Sequence, residues 1–251
     1  METAEDYKFV YTLSDVGDLV ELTVKSIKTL HKFVDKSNVI VFCTPPMRDR
    51  SISRLSHLAM LEQVHNLTAP FLVADHKVGR YGEKLRVCDI GCHTVFFLDC
   101  DTLIKKNPLK LLEGDFDFSV RGRYTRYAKE VKEMFKKYNR DPISLPNSGV
   151  MIFKNSLHRK IRDEWLNLMT QDLLPFDDYA KEEVSLALCV SGKKIKWLTP
   201  TEHSLRDSGE ETDKTIILHG RKPRSRSYHM VKGLLTRIKN RTITEYFKTK
   251  I

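Results

Sequence analysis

Short apolar, β-branched runs alternate with segments of helical spacing through the first hundred residues, and few architectures accept that order. Residues 8–13 form one such run, read as a buried first strand. Ser14, Asp15 and Asp18 then offer helix caps ahead of Leu19, Leu22, Ile27 and Leu30. Residues 39–42 make a second strand, closed by Thr44-Pro45-Pro46. Ile52, Leu55, Ala59, Leu61 and Glu62 suggest another helix, followed by a strand near residues 70–73. A helix around residues 81–88 leads into Thr94-Val95-Phe96-Phe97-Leu98, a run suited to the centre of a parallel sheet. Strand and helix in strict alternation predict an α/β fold: one Rossmann-like domain whose mostly parallel central sheet is flanked by helices.

The second half is less regular. Residues 117–121 and 149–153 read as strands, separated by a basic helix near 126–138 and a turn at Asp141-Pro142. Helices at 158–171 and 179–190 and short strands at 194–198 and 215–218 follow, with no internal repeat. A length of 251 residues, 41% of them hydrophobic, suits one core. No apolar run approaches the roughly 18–20 residues of a membrane span. The acidic start, with Glu2, Glu5 and Asp6, does not resemble a signal peptide, so a cytoplasmic protein is expected. The five cysteines (Cys43, Cys88, Cys92, Cys100 and Cys189) are odd in number and lie in apolar stretches, as reduced buried thiols do. Cys88, Cys92 and His93 lack the second ligand pair a structural zinc site needs.

Net charge divides the chain. Residues 221–251 hold ten Lys/Arg against one acid, Glu245, so nine of the ten net positive charges sit there. This sets residues 1–223 apart as the domain and 224–251 as a basic tail. In the tail Val231, Leu234, Leu235 and Ile238 recur at helical spacing among Lys232, Arg237, Lys239 and Arg241. That pattern fits a basic amphipathic helix, either peripheral on an anionic membrane face or packed on the domain. No aromatic-rich strand pattern accompanies the charge, which argues against a nucleic-acid-binding module.

Three clusters carry chemistry. Asp99-Cys100-Asp101 ends an apolar strand, where open α/β sheets place ligands, and two carboxylates there suit a hard divalent cation that bridges a diphosphate. Asn147-Ser148-Gly149 precedes the apolar run Val150-Met151-Ile152-Phe153, bringing polar groups and bare backbone up to a ligand. His219-Gly220-Arg221-Lys222-Pro223 ends a late strand on an imidazole able to complete a metal shell and a lysine able to neutralise phosphate. Two carboxylates and one His favour manganese, with magnesium next. A haloacid-dehalogenase-like phosphatase also ends a strand on Asp-x-Asp, but opens its domain with it and carries Thr or Val where Leu103 stands.

These motifs, in this order, resemble the GT-A glycosyltransferases and most closely glycosyltransferase family 8, of the glycogenin and lipopolysaccharide galactosyltransferase type, over residues 7–223. The resemblance implies a GT-A fold and transfer of a hexose from a nucleoside-diphosphate sugar, a UDP-sugar first, to a hydroxyl of a glycan, glycolipid or protein. It implies that Tyr11, Thr12 and Leu13 end a first strand that contacts the nucleotide. Lys84, in Gly79-Arg80-Tyr81-Gly82-Glu83-Lys84-Leu85, matches a family lysine near nucleotide and sugar. Asp99, Asp101 and His219 match the metal ligands, and Asn147, Ser148, Gly149, Gly220 and Lys222 the donor-binding motifs, the last with one residue fewer before Lys222-Pro223. The family's Asp-Gln pair beside the reacting carbon corresponds to Glu182-Glu183. An acid in place of Gln leaves open a base with inversion, a purely orienting role, or a solvated helical face beside Lys181. Asp177 and Asp178 upstream are alternative acids, read as an N-cap pair.

Overall fold

The computed structural model describes residues 6–14, 17–44, 47–63, 82–123, 128–171 and 178–220. The strand expected near 70–73, the segment 79–81, Asp177, Lys222 and the tail 224–251 lie outside them.

Among the described residues a seven-stranded sheet runs in the order β3-β2-β1-β4-β7-β6-β8. These strands are β1 (Tyr7–Ser14), β2 (Val39–Thr44), β3 (Met60–Gln63), β4 (Thr94–Leu98), β6 (Phe118–Arg123), β7 (Leu145–Phe153) and β8 (Ile195–Trp197). The first four are mutually parallel; β7 runs antiparallel to both β4 and β6, and β8 pairs parallel with β6. Every residue of β4 is buried, because strands flank it on both sides and both faces are covered. Phe96 and Leu98 pack on one face with Phe9, Val24, Ile27 and Ile152. Val95 and Phe97 pack on the other with Val87, Trp165 and Val184.

Helices α1 (Leu19–Leu30) and α2 (Asp49–Ser56) contribute Ile27, Leu30 and Leu55 to the first of these layers. Helices α3 (Ala128–Lys137), α5 (Arg162–Thr170) and α6 (Asp178–Val190) contribute Phe135, Trp165, Val184 and Leu188 to the second. The one-turn α4 (Leu157–Lys160) precedes α5, and Trp165 of α5, fully buried, donates its indole N–H to Ser185 Oγ at 3.2 Å, fixing the face that α6 turns to the sheet. A second sheet joins β5 (Thr102–Ile104), β10 (Ile217–His219) and β9 (His203–Leu205), with β10 antiparallel to β5 and parallel to β9.

Strand order reverses between β1 and β4: β2 and β3 build outward from one side of β1, and β4 opens the other. The carboxyl ends of β1 and β4 therefore border the switch-point crevice of an open α/β sheet. All five cysteines are buried and free, as expected.

Four local expectations are corrected. Leu61 and Glu62 belong to β3, since α2 stops at Ser56 and a short turn delivers the chain to the open edge of β2. Residues 83–89 form a 3-10 helix rather than an α-helix. Asp18 is the N-cap of α1, yet its side chain makes no capping hydrogen bond. Asn147, Ser148 and Gly149 lie inside β7, not before it: Asn147 pairs with Arg121 of β6, and Ser148 and Gly149 fall in the irregularity of register between Val120 and Arg121. Phe9 and Phe96 stack at 4.4 Å between β1 and β4, both without solvent exposure. Replacing Phe96 with Ala is expected to lower stability by about 3–5 kcal/mol in urea unfolding.

Candidate active site

At the end of β4 the chain must leave the sheet, and six hydroxyl, thiol and backbone contacts set how. Thr102 donates to the Asp99 carbonyl from both its N–H (3.1 Å) and its hydroxyl (2.9 Å). Ser26 of α1 links that hydroxyl to Tyr11 of β1, 2.9 Å from each. Asp99 N–H donates to the Gly149 carbonyl at 2.8 Å, and Cys100 Sγ contacts the Thr12 carbonyl at 3.2 Å. The resulting turn holds both carboxylates of Asp99 and Asp101 on the crevice side.

The second sheet supplies the third group. Pairing of His219 with Thr102 across β10 and β5 brings the imidazole to the turn. Its Nε2 lies 3.5 Å from Asp99 Oδ2 and 3.4 Å from Asp101 Oδ1. Gly220 follows with φ +105°, a conformation favouring glycine, and donates its N–H to the Asp101 carbonyl at 3.2 Å. The ring lies directly over Gly149: a Cβ there would stand 1.9 Å from His219 Cε1. Glycine in the Asn-Ser-Gly motif is thus the space that the imidazole occupies. Behind His219, Nδ1 is 3.1 Å from Nε2 of the fully buried His203.

On the other face of the sheet a buried ammonium faces two acids. Lys84 Nζ donates to Ser148 Oγ at 2.9 Å and lies 3.3 Å from Asp99 Oδ1 and 3.6 Å from Glu182 Oε2. The Ser148 hydroxyl in turn donates to Glu182 Oε2 at 2.6 Å. Glu182 is fully buried, and its Oε1 has no hydrogen-bond partner among the described residues. Glu183 is also buried, but Arg123 Nη1 donates to both of its oxygens, at 2.9 and 3.0 Å. A solvated helical face is therefore excluded for this pair.

Electrostatics follow the geometry. Burial alone would raise the Asp99 carboxyl, but Lys84 and His219 overcome it and hold it at about 2. Burial would lower His219; hydrogen bonding and charge from Asp101 and Asp99 raise it to about 9. Burial and the charge of Glu182 push Glu183 up to about 7 against the pull of Arg123. Burial pushes Glu182 up as well, opposed by Lys84 and Ser148. His203 is held well below the usual imidazole range, by burial first and then by His219 and Arg121.

Without a metal, then, a proton on His219 supplies positive charge between the two carboxylates. The donor set fits a divalent cation in its place: two carboxylate oxygens and one imidazole nitrogen lie within 4.8 Å of one another.

Of the remaining expected residues, Thr12 is half-buried beside the turn, whereas the side chains of Tyr11 and Leu13 are fully buried in the core. Asn147 turns its Oδ1 back onto the Gly149 N–H at 3.2 Å. Sequence reasoning missed Arg123 and His203. Two arginines, Arg121 and Arg123, at the end of an apolar strand were a usable signal; nothing marked His203.

No family model matches the chain, and no curated protein matches its sequence. Solved structures do. The apo form of the bifunctional glycosyltransferase WbbM aligns with a TM-score of 0.60 at 12% identity, over 88% of this chain and 47% of that one, so this chain spans about half of WbbM. The galactosyltransferase LgtC, solved with donor and acceptor sugar analogues, aligns with a TM-score of 0.59 at 14% identity, over 86% of this chain and 87% of that one. Apo mouse xyloside xylosyltransferase 1 aligns with a TM-score of 0.54 at 13% identity, over 86% of this chain and 98% of that one. The fold is the GT-A fold of these glycosyltransferases, as the motifs implied.

Two outcomes are expected. Gly149→Ala displaces His219 from the two carboxylates; for a cation held by this donor set, with Mn2+ as the probe and the paramagnetic resonance signal of free Mn2+ as the readout, affinity should fall at least about tenfold with the circular dichroism spectrum unchanged. In chelator, His219 contributes stability that is complete below its ordinary value of 6.5 and lost as pH rises through about 9. Thermal melts from pH 6.5 to 9.5 should therefore fall more steeply for the wild type than for His219→Gln.

Proposed function

We propose that the chain is a metal-dependent glycosyltransferase that moves a hexose from a nucleoside-diphosphate sugar, a UDP-sugar first, to a hydroxyl of a glycan, glycolipid or protein acceptor. The observation that carries this is the meeting of Asp99, Asp101 and His219 beside the chain Lys84–Ser148–Glu182, at the switch point of a GT-A sheet. Asp99, Asp101 and His219 would hold Mn2+ or Mg2+, which when bound neutralises charge on the diphosphate leaving group.

The chain's own residues do the rest. Gly149 leaves room for the imidazole and Ser148 orients Glu182. Lys84 lends positive charge between Asp99 and Glu182, on the side where the sugar would lie. Oε1 of Glu182, without a hydrogen-bond partner among the described residues, is an acceptor for a sugar hydroxyl or its proton. Glu183 is already committed to Arg123, so Glu182 is assigned the carboxylate that faces the reaction. Thr12, Asn147, Gly220 and Lys222 remain assigned to the donor, as do the backbone groups of Tyr11 and Leu13.

A haloacid-dehalogenase-like reaction fits less well, since the nucleophile it requires would be Asp99, whose carboxylate faces Lys84 and His219. Nucleic-acid binding has no support beyond charge that lies in residues 221–251. Among the described residues no helix is long and apolar enough to cross a membrane. The composition of 224–251 supports peripheral docking on an anionic, cytoplasmic membrane face with a lipid-linked acceptor. Cosedimentation with anionic vesicles in low salt, abolished by truncation after Pro223, is the expected result; a full-length chain that ignores such vesicles removes the membrane from the reading.

The enzymatic test is nucleoside-diphosphate release from a panel of nucleotide-sugars with Mn2+. Asp101→Ala should abolish it, and Glu182→Gln should lower the rate by about 10²–10⁴-fold, with Glu183→Gln losing much less. Wild-type turnover in Asp101→Ala would exclude the metal assignment, and equal losses in the two Gln variants would exclude the division between the glutamates.

A further inference from the structure

We propose that His203 is the positioning residue that prepares His219 for a cation, by accepting the proton on His219 Nδ1. The assignment rests on the metal reading above and adds a residue to it.

A neutral imidazole carries one N–H and one lone pair, so the nitrogen that faces a cation must be the bare one. In His219 that nitrogen is Nε2, which lies near both carboxylates. Its proton must then reside on Nδ1, and the group opposite Nδ1 must be an acceptor. That group is Nε2 of His203, 3.1 Å away, in a ring inclined 28° to that of His219 with 5.3 Å between centroids. Only one proton fits between two such nitrogens, so His203 keeps its own on Nδ1.

The rest of His203 is consistent with a residue kept for this one contact. It has no solvent exposure, and its Nδ1 has no hydrogen-bond partner among the described residues. A buried polar atom left unsatisfied costs about 1–3 kcal/mol, a penalty that an apolar side chain filling the same space would avoid. The imidazole is therefore explained by what Nε2 does. Its backbone is clamped as well. Arg121 Nη1 donates to the His203 carbonyl at 2.7 Å, Glu210 grips Arg121, with Nη2 to Oε1 at 2.6 Å, and Glu210 Oε2 accepts the Leu205 N–H at 2.9 Å. This brace ties β9 to β6, and the parallel pairing of β9 with β10 sets one ring beside the other.

The test uses the full-length chain and two measurements. Mn2+ titration followed by paramagnetic resonance should show His203→Phe binding about 10–100-fold more weakly than the wild type, the usual effect of removing a metal ligand's hydrogen-bond partner. His203→Gln, whose carbonyl can reach the same place, should recover most of the loss. Two-bond proton–nitrogen spectra of the Mg2+-saturated wild type need no variant, and should show His219 protonated on Nδ1. His219 protonated on Nε2 instead, or folded His203→Phe binding Mn2+ as tightly as the wild type while Asp101→Ala does not, overturns the role of His203 alone. A wild type that binds neither cation brings down the metal reading and this assignment with it.

Discussion

Lys84 carries a positive charge into the interior of the sheet, and the arrangement of the site turns on keeping it balanced. Its side chain is only 8% exposed, and its neighbours Asp99 and Glu182 come from the turn after β4 and from α6. A charge removed from water is tolerated only where geometry and hydrogen bonds compensate it, and taking away one partner of a buried pair costs about 3–5 kcal/mol. Three separate elements are thereby tied to one ammonium, with Ser148 of β7 as the hydroxyl that bridges it to Glu182. Helix α6, which carries Glu182, is braced separately by Trp165 on Ser185.

Much of this was legible in the sequence because it obeyed simple periodicities. The apolar runs of β1, β2 and β4 reveal a parallel sheet, and Asp99 and Asp101 declare themselves by following the most apolar of those strands. The second sheet was not legible. Its strands β5 and β9 are three residues each, too short for an alternation to register, and β9 reads as polar residues in a loop. They exist because β10 has edges to fill, a tertiary cause with no local signature.

The glutamates illustrate a different limit. By residue type alone Glu182-Glu183, next to Lys181, admits a solvated helical face, one of the three roles the sequence leaves open. Their burial depends on Lys84 and Arg123, which lie far away in sequence and approach from the 3-10 segment Glu83–Asp89 and from β6. A local scan cannot show a partner this distant, so it leaves the burial of such a charge open. Gly149 is the converse: a motif position recognised early, whose reason became visible only with an imidazole lying over it.

The pairing of β10 with β5 also bears on the order of events during folding. The parallel units β1-α1-β2 and their neighbours rest on contacts between nearby stretches of chain. The site does not: Asp99 and Asp101 wait for a histidine at position 219, the end of the last described strand. Contacts between such remote segments close large loops and form slowly. A chain emerging in sequence order would hold a nearly finished sheet before Asp99, Asp101 and His219 met, so the proposed cation site is completed only at the last stage of folding, and a cation bound there would favour the fully assembled molecule over every earlier one.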